Sequence, residues 1–146
     1  MKPNLGIFIE ERGETAPDVA PVIRLQARVT NKGKLAHSLE AGLLIENMTD
    51  GIEKLYWQTP QGKSLTIPRL SKWDKAILPI CHRSVIEDYW TVSTAQEDTR
   101  ILFVDQSYDV AVFIYYEPSD TKAFSFKLRI DSDKQPHWTD LKRMRI

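Results

Sequence analysis

The chain has 146 residues, of which 42% are hydrophobic and 27% charged, a balance typical of one globular domain that excludes a fibrous or wholly disordered protein. Lys plus Arg number 20 and Asp plus Glu number 20, so the basic excess of most nucleic-acid-binding proteins is missing and we expect no nucleic-acid partner. The one cysteine, Cys81, cannot form an intrachain disulfide, and no segment approaches the roughly 20 apolar residues of a membrane-spanning helix. We therefore expect a cytoplasmic chain without a membrane span.

Alternation of apolar and polar residues with a period of two predicts the first two strands. One begins at Leu5 and another covers Val22–Val29, while Glu11–Pro21 between them carries Gly, Thr, Asp and two prolines and is interpreted as a loop. A helix would scatter the charges of Val22–Val29 around its circumference, whereas a strand puts them all on one face. The residues expected to face the core are Ile23, Leu25, Ala27 and Val29, and those expected in water are Arg24, Gln26 and Arg28.

A hairpin is predicted around the dipeptide Asp50-Gly51. Leu39–Asn47 precedes it and Ile52–Trp57 follows it, and both segments have a strand pattern. Asp-Gly suits a type I′ turn, whose positive φ angles match the twist of the two flanking strands.

Shorter elements follow. Two strands are predicted at Ser64–Ile67 and Ala76–Cys81. Pro68 and Pro79 donate no backbone hydrogen bond, so these strands should lie at sheet edges or end there. Val85–Trp90 is the one helix candidate, and the polar segment Thr91–Arg100 is interpreted as a loop.

The C-terminal third predicts a second hairpin. Tyr108–Tyr116 is apolar on both faces, which indicates a central strand or one covered on its second side. Glu117–Lys122 has turn chemistry and leads into the strand Ala123–Ile130. In that last strand Phe124, Phe126, Leu128 and Ile130 should point inward, and Ser125, Lys127 and Arg129 outward.

A series of short motifs resembles a known kind of domain. Val29-Thr30-Asn31-Lys32-Gly33, then Trp57, Ile67-Pro68 and Tyr108–Val112, stand in the order found in immunoglobulin-like accessory domains of bacteria and archaea. Asn31 and Gly33 tolerate the left-handed backbone that would let a strand end sharply. Tyr108 resembles the tyrosine-corner position, where a hydroxyl is tied to a nearby loop.

These observations together predict the fold class. We expect an all-β chain that forms an immunoglobulin-like antiparallel β-sandwich of about seven strands, with little or no helix. It should be a single domain over residues 1–146, with frayed ends at 1–4 and 140–146. The resemblance implies a non-catalytic module that serves another protein.

The residues that could carry chemistry have simpler structural interpretations. Cys81 and His82 are neighbours on a strand and should point to opposite faces, with Cys81 buried and His82 exposed, so the imidazole would not reach the thiol. The three histidines are far apart in the chain, and Asp131-Ser132-Asp133 lacks the Gly and distal Glu of a calcium loop and predicts a polar turn. We therefore predict no catalytic residue, no cofactor site and no metal site.

The four tryptophans are the remaining candidates for contact with a ligand or partner. Trp57 is predicted to lie in the core. Trp73, Trp90 and Trp138 are candidate contact residues, because exposed aromatic side chains on one rim of a sandwich can stack on a sugar or anchor a protein. The alternative is that they fill the open ends of the sandwich, with Trp73 the most exposed.

Three functional hypotheses follow. The first is a non-catalytic interaction or accessory module that binds a protein partner through loops or a sheet edge, with homo-oligomers allowed because open sandwiches carry unpaired edges. The alternative is a carbohydrate- or small-ligand-binding β-sandwich that uses exposed aromatic residues. The third is a thiol enzyme acting through Cys81, which requires a depressed thiol pKa.

The inward face of Ala123–Ile130 gives a test of the predicted strand register. Phe126→Ala should lower the free energy of unfolding by about 3–5 kcal/mol, because it removes a buried ring and leaves a cavity. Chemical denaturation of the two proteins measures the difference. A loss below about 1 kcal/mol would place Phe126 on the solvent side and contradict the register.

Overall fold

The computed structural model describes residues 2–96, 99–117 and 120–145. Over these residues the chain is all-β: two antiparallel sheets pack face to face as a β-sandwich. The described residues contain no helix, and hence none that is long and apolar enough to cross a membrane. The predicted all-β sandwich is confirmed.

Thirteen strands are present in the described residues, more than the seven or so predicted, and seven of them have nine or more residues. The remaining six have two to five residues each and pair alongside the long strands or with one another. Sheet A contains β1 (Leu5–Ala16), β2 (Val19–Asn31), β5 (Trp57–Thr59), β6 (Gly62–Ser64), β8 (Lys75–Ser84), β9 (Trp90–Val92) and β10 (Ile101–Leu102). Sheet B contains β3 (Ala36–Ile45), β4 (Glu53–Lys54), β7 (Thr66–Leu70), β11 (Gln106–Glu117), β12 (Asp120–Ile130) and β13 (Pro136–Met144).

The order of the strands differs between the two sheets. Sheet A runs β1-β2-β8-β5-β6, and β9 pairs with the other half of β8 and with β10. Sheet B runs β13-β12-β11-β3-β4, with β7 also on β3. The hairpin of β11 and β12 forms as predicted, although the turn residues Pro118 and Ser119 lie outside the described residues.

The core lies between the two sheets and is filled by both inward faces. All four apolar residues predicted to point inward from β12 are buried, and the central position predicted for Tyr108–Tyr116 is confirmed, because β11 lies between β12 and β3. From β2, Leu25, Ala27 and Val29 are buried, and Ile23 packs against the same core.

The prediction that Glu11–Pro21 is a loop is wrong. β1 and β2 continue as a long hairpin through this segment, with Arg12 opposite Arg24 and Glu14 opposite Val22. Only Pro17 and Asp18 form the turn, and Asp18 takes a positive φ of 63°. The segment is polar on both faces because this end of β1 is an exposed edge, so the alternation that signals a half-buried strand is missing.

The prediction that the outer face of β2 lies in water is only partly right. Gln26 is buried. Its amide nitrogen donates to Glu10 and its carbonyl oxygen accepts from the guanidinium of Arg24, so the buried amide has hydrogen-bond partners. Arg28 forms a bidentate pair with Glu10. These long polar side chains lie across the sheet and cover one another, a form of burial that period-two patterning does not reveal.

The hairpin predicted at Asp50-Gly51 forms only in part. β3 ends at Ile45, because Asn47 takes a positive φ of 63° and the chain turns there. β4 is two residues long and pairs with β3, with Lys54 opposite Gly42 and Glu53 opposite Leu43. The connection is therefore longer than a two-residue turn, and the chain then crosses to sheet A.

The two prolines have different positions. Pro68 lies in β7, which pairs only with β3, so the predicted edge position is confirmed. Pro79 is in the middle of sheet A, and its predicted edge position is wrong. The register between β2 and β8 shifts here, with Leu25 opposite Cys81 but Gln26 opposite Pro79, so Ile80 is an extra residue in a β-bulge. A bulge is one of the few interior places where a sheet tolerates proline.

No helix forms at Val85–Trp90, where the chain makes a turn before β9. The buried guanidinium of Arg83 donates to the carbonyl of Glu87 at 3.0 Å and holds this turn. Thr91–Arg100 is mostly irregular, as predicted, but its first two residues belong to β9. Glu97 and Asp98 lie outside the described residues.

Described residues within the two predicted frayed ends, 1–4 and 140–146, take part in hydrogen bonds. Near the start of the chain, the backbone N–H of Lys34 donates to the carbonyl of Lys2. β13 continues to Met144, and the guanidinium of Arg143 donates to the carbonyl of Leu5 at 3.2 Å. This last contact joins the edge strands of the two sheets.

Asn31 is fully buried at the point where several segments meet. Its carbonyl oxygen accepts from the backbone N–H groups of Asn4 and Gly33, at 3.0 and 2.9 Å. Its amide nitrogen donates to the carbonyls of Lys34 and Leu70, at 2.7 and 2.9 Å. The side chain thus satisfies both donors and both acceptor sites and joins the segment before β1, the turn after β2 and the end of β7.

The left-handed backbone predicted for Asn31 and Gly33 is wrong, because neither residue has a positive φ. Gly33 is required for close approach instead. A Cβ placed there would lie 2.7 Å from the backbone nitrogen of Asn4 and nearer still to the carbonyl oxygen of Lys2. The segment before β1 can therefore lie against the turn only because Gly33 has no side chain.

Substitutions at Asn31 should cost more stability than any surface change nearby. Asn31→Asp keeps the shape but turns the donating nitrogen into an oxygen that faces two carbonyls. We expect Asn31→Asp and Asn31→Ala each to lower the free energy of unfolding by about 3 kcal/mol or more, measured by chemical denaturation. The exposed neighbour Lys32→Ala is the control and should change it by less than about 0.5 kcal/mol. A loss below about 1 kcal/mol in Asn31→Asp would contradict this role.

Candidate functional site

The three candidate contact tryptophans do not form one exposed platform. Trp73 is 71% exposed, as predicted, and lies before β8 at the Asn31 end of the sandwich, where its backbone N–H donates to the carbonyl of Asn31. Trp90 is fully buried at the opposite end, and its Nε1 donates to the carbonyl of Lys134 at 2.9 Å. Trp138 is half-buried and packs against the core.

Trp57 confirms its predicted core position. It is fully buried, and its Nε1 donates to the carbonyl of Leu39 at 3.1 Å. Because Trp57 belongs to sheet A and Leu39 to sheet B, this bond links the two layers. Of the tryptophans, only Trp73 offers most of its ring to a ligand.

Cys81 and His82 point to opposite faces of β8, as predicted. Cys81 is buried in the core, and burial raises the pKa of its thiol far above the ordinary range. The thiol-enzyme hypothesis requires the opposite shift, since the thiolate is the nucleophile. His82 is half-buried rather than exposed, and its Nδ1 lies 3.0 Å from the hydroxyl of Ser93.

Asp131–Asp133 forms the predicted polar turn after β12. One carboxylate oxygen of Asp131 accepts from the backbone N–H groups of Asp133 and Gln135, and the other lies 2.7 Å from Nε2 of His137. These bonds lower the pKa of Asp131, the backbone N–H of Gln135 contributing most. Among the described residues no three His, Cys, Asp or Glu side chains are grouped to hold a metal ion.

A groove of about 780 Å³ lies on the outer face of sheet B. We call it the sheet B groove. Its floor is made by small residues, Ala111 on β11 and Ser125 on β12, which lie opposite each other in the sheet. Ala111 in turn lies opposite Leu44 on β3, and Ser125 lies opposite Lys142 on β13. A single row across four strands therefore forms the groove.

Apolar side chains bound the sheet B groove. Leu44 and Met144 line it, and both pack against a small second cluster that includes Phe113 on the outer face of the sheet. Leu141 stands at the margin and is exposed. It belongs to a bulge in β13, where the pairing with β12 shifts register and Asp140 takes a positive φ of 60°. The bulge turns this part of β13 toward the groove.

Charged residues of both signs form the rim of the sheet B groove. Asp109 lies opposite Lys127 at one side, and the backbone N–H of Glu46 donates to the carbonyl of Asp109. The remaining charged residues at this rim are Asp140 and Lys142. A mainly apolar lining and a rim with charges of both signs are features found in protein-binding surfaces.

A second, smaller cavity of about 400 Å³ lies on the outer face of sheet A, around His82. We call it the His82 pocket. Most of its lining residues are polar or charged, among them Arg24, Lys63 and Ser93. It is chemically unlike the sheet B groove and lies on the opposite face of the sandwich.

One buried ion pair is part of the framework. Glu53 is buried, and its carboxylate accepts from the guanidinium of Arg100 at 3.2 Å and from the hydroxyl of Thr94 at 3.2 Å. These contacts join β4 of sheet B to the segment between β9 and β10 of sheet A. Since the carboxylate is enclosed and paired, its role is structural.

Sequence reasoning missed both cavities. It placed Ser125 outward and found β11 apolar on both faces, and that second apolar face is the signal that could have indicated the groove. No pattern in the sequence indicated the bulge at Leu141, and residues 140–146 were predicted to be a frayed end rather than part of a strand. His82 was predicted to be exposed, since no pattern showed that residues 91–96 would lie beside it.

Comparisons of the chain with models of protein families, with curated proteins and with solved structures found no match. The two cavities are therefore interpreted from their own chemistry.

The buried thiol gives a test of the thiol-enzyme hypothesis. In the native protein Cys81 should react with iodoacetamide at least about a hundredfold more slowly than in the denatured chain, because reaction requires opening of the core. Mass spectrometry after timed quenching measures both rates, and the denatured chain is the matched control. A native rate equal to the denatured rate would mean that the thiol is accessible and would reopen the hypothesis.

Proposed function

We propose that this chain is a non-catalytic interaction module and that the sheet B groove receives a segment of a partner protein. The observation that carries the proposal is the apolar lining of a sheet face that points away from the core. The outer faces of a sandwich are ordinarily polar, because alternate residues of each strand meet water. An apolar outer face is therefore best explained by a partner that covers it.

The dimensions of the sheet B groove suit an extended segment. Neighbouring strands are separated by about 4.8 Å, so the row from Leu44 to Lys142 spans about 14 Å, enough for about four residues of extended chain. Its volume of about 780 Å³ is within the usual range of binding sites. The charges at the rim would pair with polar groups on either side of an apolar peptide segment. A small apolar ligand would have no such polar groups.

Two further observations favour a module without catalysis. The one thiol is buried with a raised pKa, and the carboxylate of Glu53 is enclosed by its partners.

The backbone N–H of Phe103 donates to the hydroxyl of Tyr108 at 2.9 Å, a hydrogen bond between strand and loop like that of the tyrosine corner. It supports the proposed kinship with immunoglobulin-like accessory domains, which stays a prediction, as does a cytoplasmic location.

The alternative, a sandwich that binds carbohydrate by stacking on exposed tryptophans, has less support. It needs at least two aromatic rings on one exposed surface, but Trp73 and Trp90 lie at opposite ends of the sandwich. Trp90 is also fully buried. Trp73 alone remains a candidate contact for a sugar or a partner.

Filling the floor of the sheet B groove tests the proposal. A library of displayed 12-residue peptides is selected against the native chain, and the affinity of the enriched peptides is measured by calorimetry. We expect peptides with a short apolar core, and we expect Ser125→Leu to weaken their binding by tenfold or more, because the added side chain occupies the floor of the groove.

The matched control is Ser107→Leu. Ser107 is an exposed residue of β11 outside the groove lining, and its substitution should leave the affinity unchanged. Binding that survives Ser125→Leu, or that both variants weaken equally, would contradict the proposal. If a second copy of the chain fills the groove instead, sedimentation will show a concentration-dependent dimer that Ser125→Leu abolishes, and the proposed partner protein is then wrong.

A further inference from the structure

The His82 pocket is formed by side chains from both halves of sheet A. Arg24 of β2 and His82 of β8 lie opposite each other at its floor. Lys63 of β6 lines the opposite side beside Tyr56, with its Nζ 5.9 Å from the centre of that ring. The pocket is thus built on regular strands, which hold its charged groups in fixed relative positions.

Hydroxyl and amide groups make up much of the remaining lining. Thr91 and Ser93 provide hydroxyls from the segment that follows β8, and Gln58 provides a side-chain amide from β5. The Ser93 hydroxyl is hydrogen-bonded to Nδ1 of His82, and Nε2 of His82 has no hydrogen-bond partner among the described residues. Such groups can each donate and accept, which is what a ligand with several hydroxyl groups requires.

Two cationic side chains, Lys63 and Arg24, line the pocket around His82. Burial is the largest cause of the lowered pKa of His82, Lys63 lowers this pKa further, Glu87 opposes the shift, and Arg24 has a smaller lowering effect than either. Glu14 also lines the pocket, but its carboxylate is paired with Arg24 at 2.8 Å. Among the described residues Lys63 has no ion-pair partner, whereas Arg24 shares its charge with Glu14, so Lys63 is the group that most favours an anionic ligand.

We propose that the His82 pocket binds a small polyhydroxylated oxyanion, of the sugar-acid or sugar-phosphate class. Lys63 and Arg24 contact the carboxylate or phosphate, and the hydroxyl and amide groups bind the polyol. The ring of Tyr56 offers a flat apolar surface to the carbon skeleton. This site is on the opposite face from the sheet B groove, so it does not depend on the proposed partner binding.

The chain has three histidines, and the NMR signals of their imidazole groups test the proposal directly. Glucuronate, glucose 6-phosphate and neutral glucose are titrated separately into the native chain. We expect at least one of the two anions to shift the His82 signal saturably and to raise its pKa, with His37 and His137 unaffected because both are exposed and outside the pocket. Glucose should bind at least tenfold more weakly.

Two variants complete the experiment. Lys63→Gln removes one cation from an exposed position and should weaken anion binding about tenfold, which corresponds to about 1.4 kcal/mol. Lys72→Gln, an exposed lysine outside the pocket, should leave the affinity unchanged. Comparing the two anions distinguishes a carboxylate site from a phosphate site.

Three results would overturn the proposal. They are a His82 signal that neither anion shifts at tens of millimolar, glucose binding as tightly as the anions, and an affinity that Lys63→Gln leaves intact. Peptide binding at the sheet B groove is measured separately, so failure here is distinguishable from failure of the proposed function.

Discussion

The amide of Asn31 is the contact on which the arrangement of the two sheets depends. Hydrophobic burial supplies most of the stabilisation, but it is not directional and does not decide which strand ends meet. Asn31 decides this, because its four hydrogen bonds reach the segment before β1, the turn after β2 and the end of β7. Without them four backbone groups would lose a partner at the same place, so this end of the sandwich forms as one unit.

Other polar contacts close the remaining margins of the sandwich. Trp57 joins the sheets through the carbonyl of Leu39, and Glu53 joins them through Arg100. Arg143 ties edge strand β13 to the first residue of β1. Removing one member of a buried pair is costly, because the other is left without a partner. The apolar core therefore fills the interior, while a few directional bonds at its margins specify one register for each sheet.

The sequence was most informative where one face of a strand is buried and the other is wet. The alternation in β12 predicted every inward residue, and the double apolar face of β11 predicted its central position. Prediction failed where polar side chains cover one another, as Gln26 and Glu10 do, and where an edge strand is polar on both faces, as in Glu11–Pro21. The cavities depend on such features and on bulges, so patterns along the chain predicted neither of them.

The bulge at Ile80 has a consequence that reaches beyond the local pairing. It lets Ile80 and Cys81 enter the core one after the other, so the alternation of β8 starts again with opposite parity. His82 consequently points outward beside Arg24, and Arg83 points inward beneath the following turn. If the same residues paired regularly without the bulge, the imidazole would lie in the core and the guanidinium on the surface. The chemistry available at this face of the protein is thus set by a β-bulge as much as by the identity of the side chains.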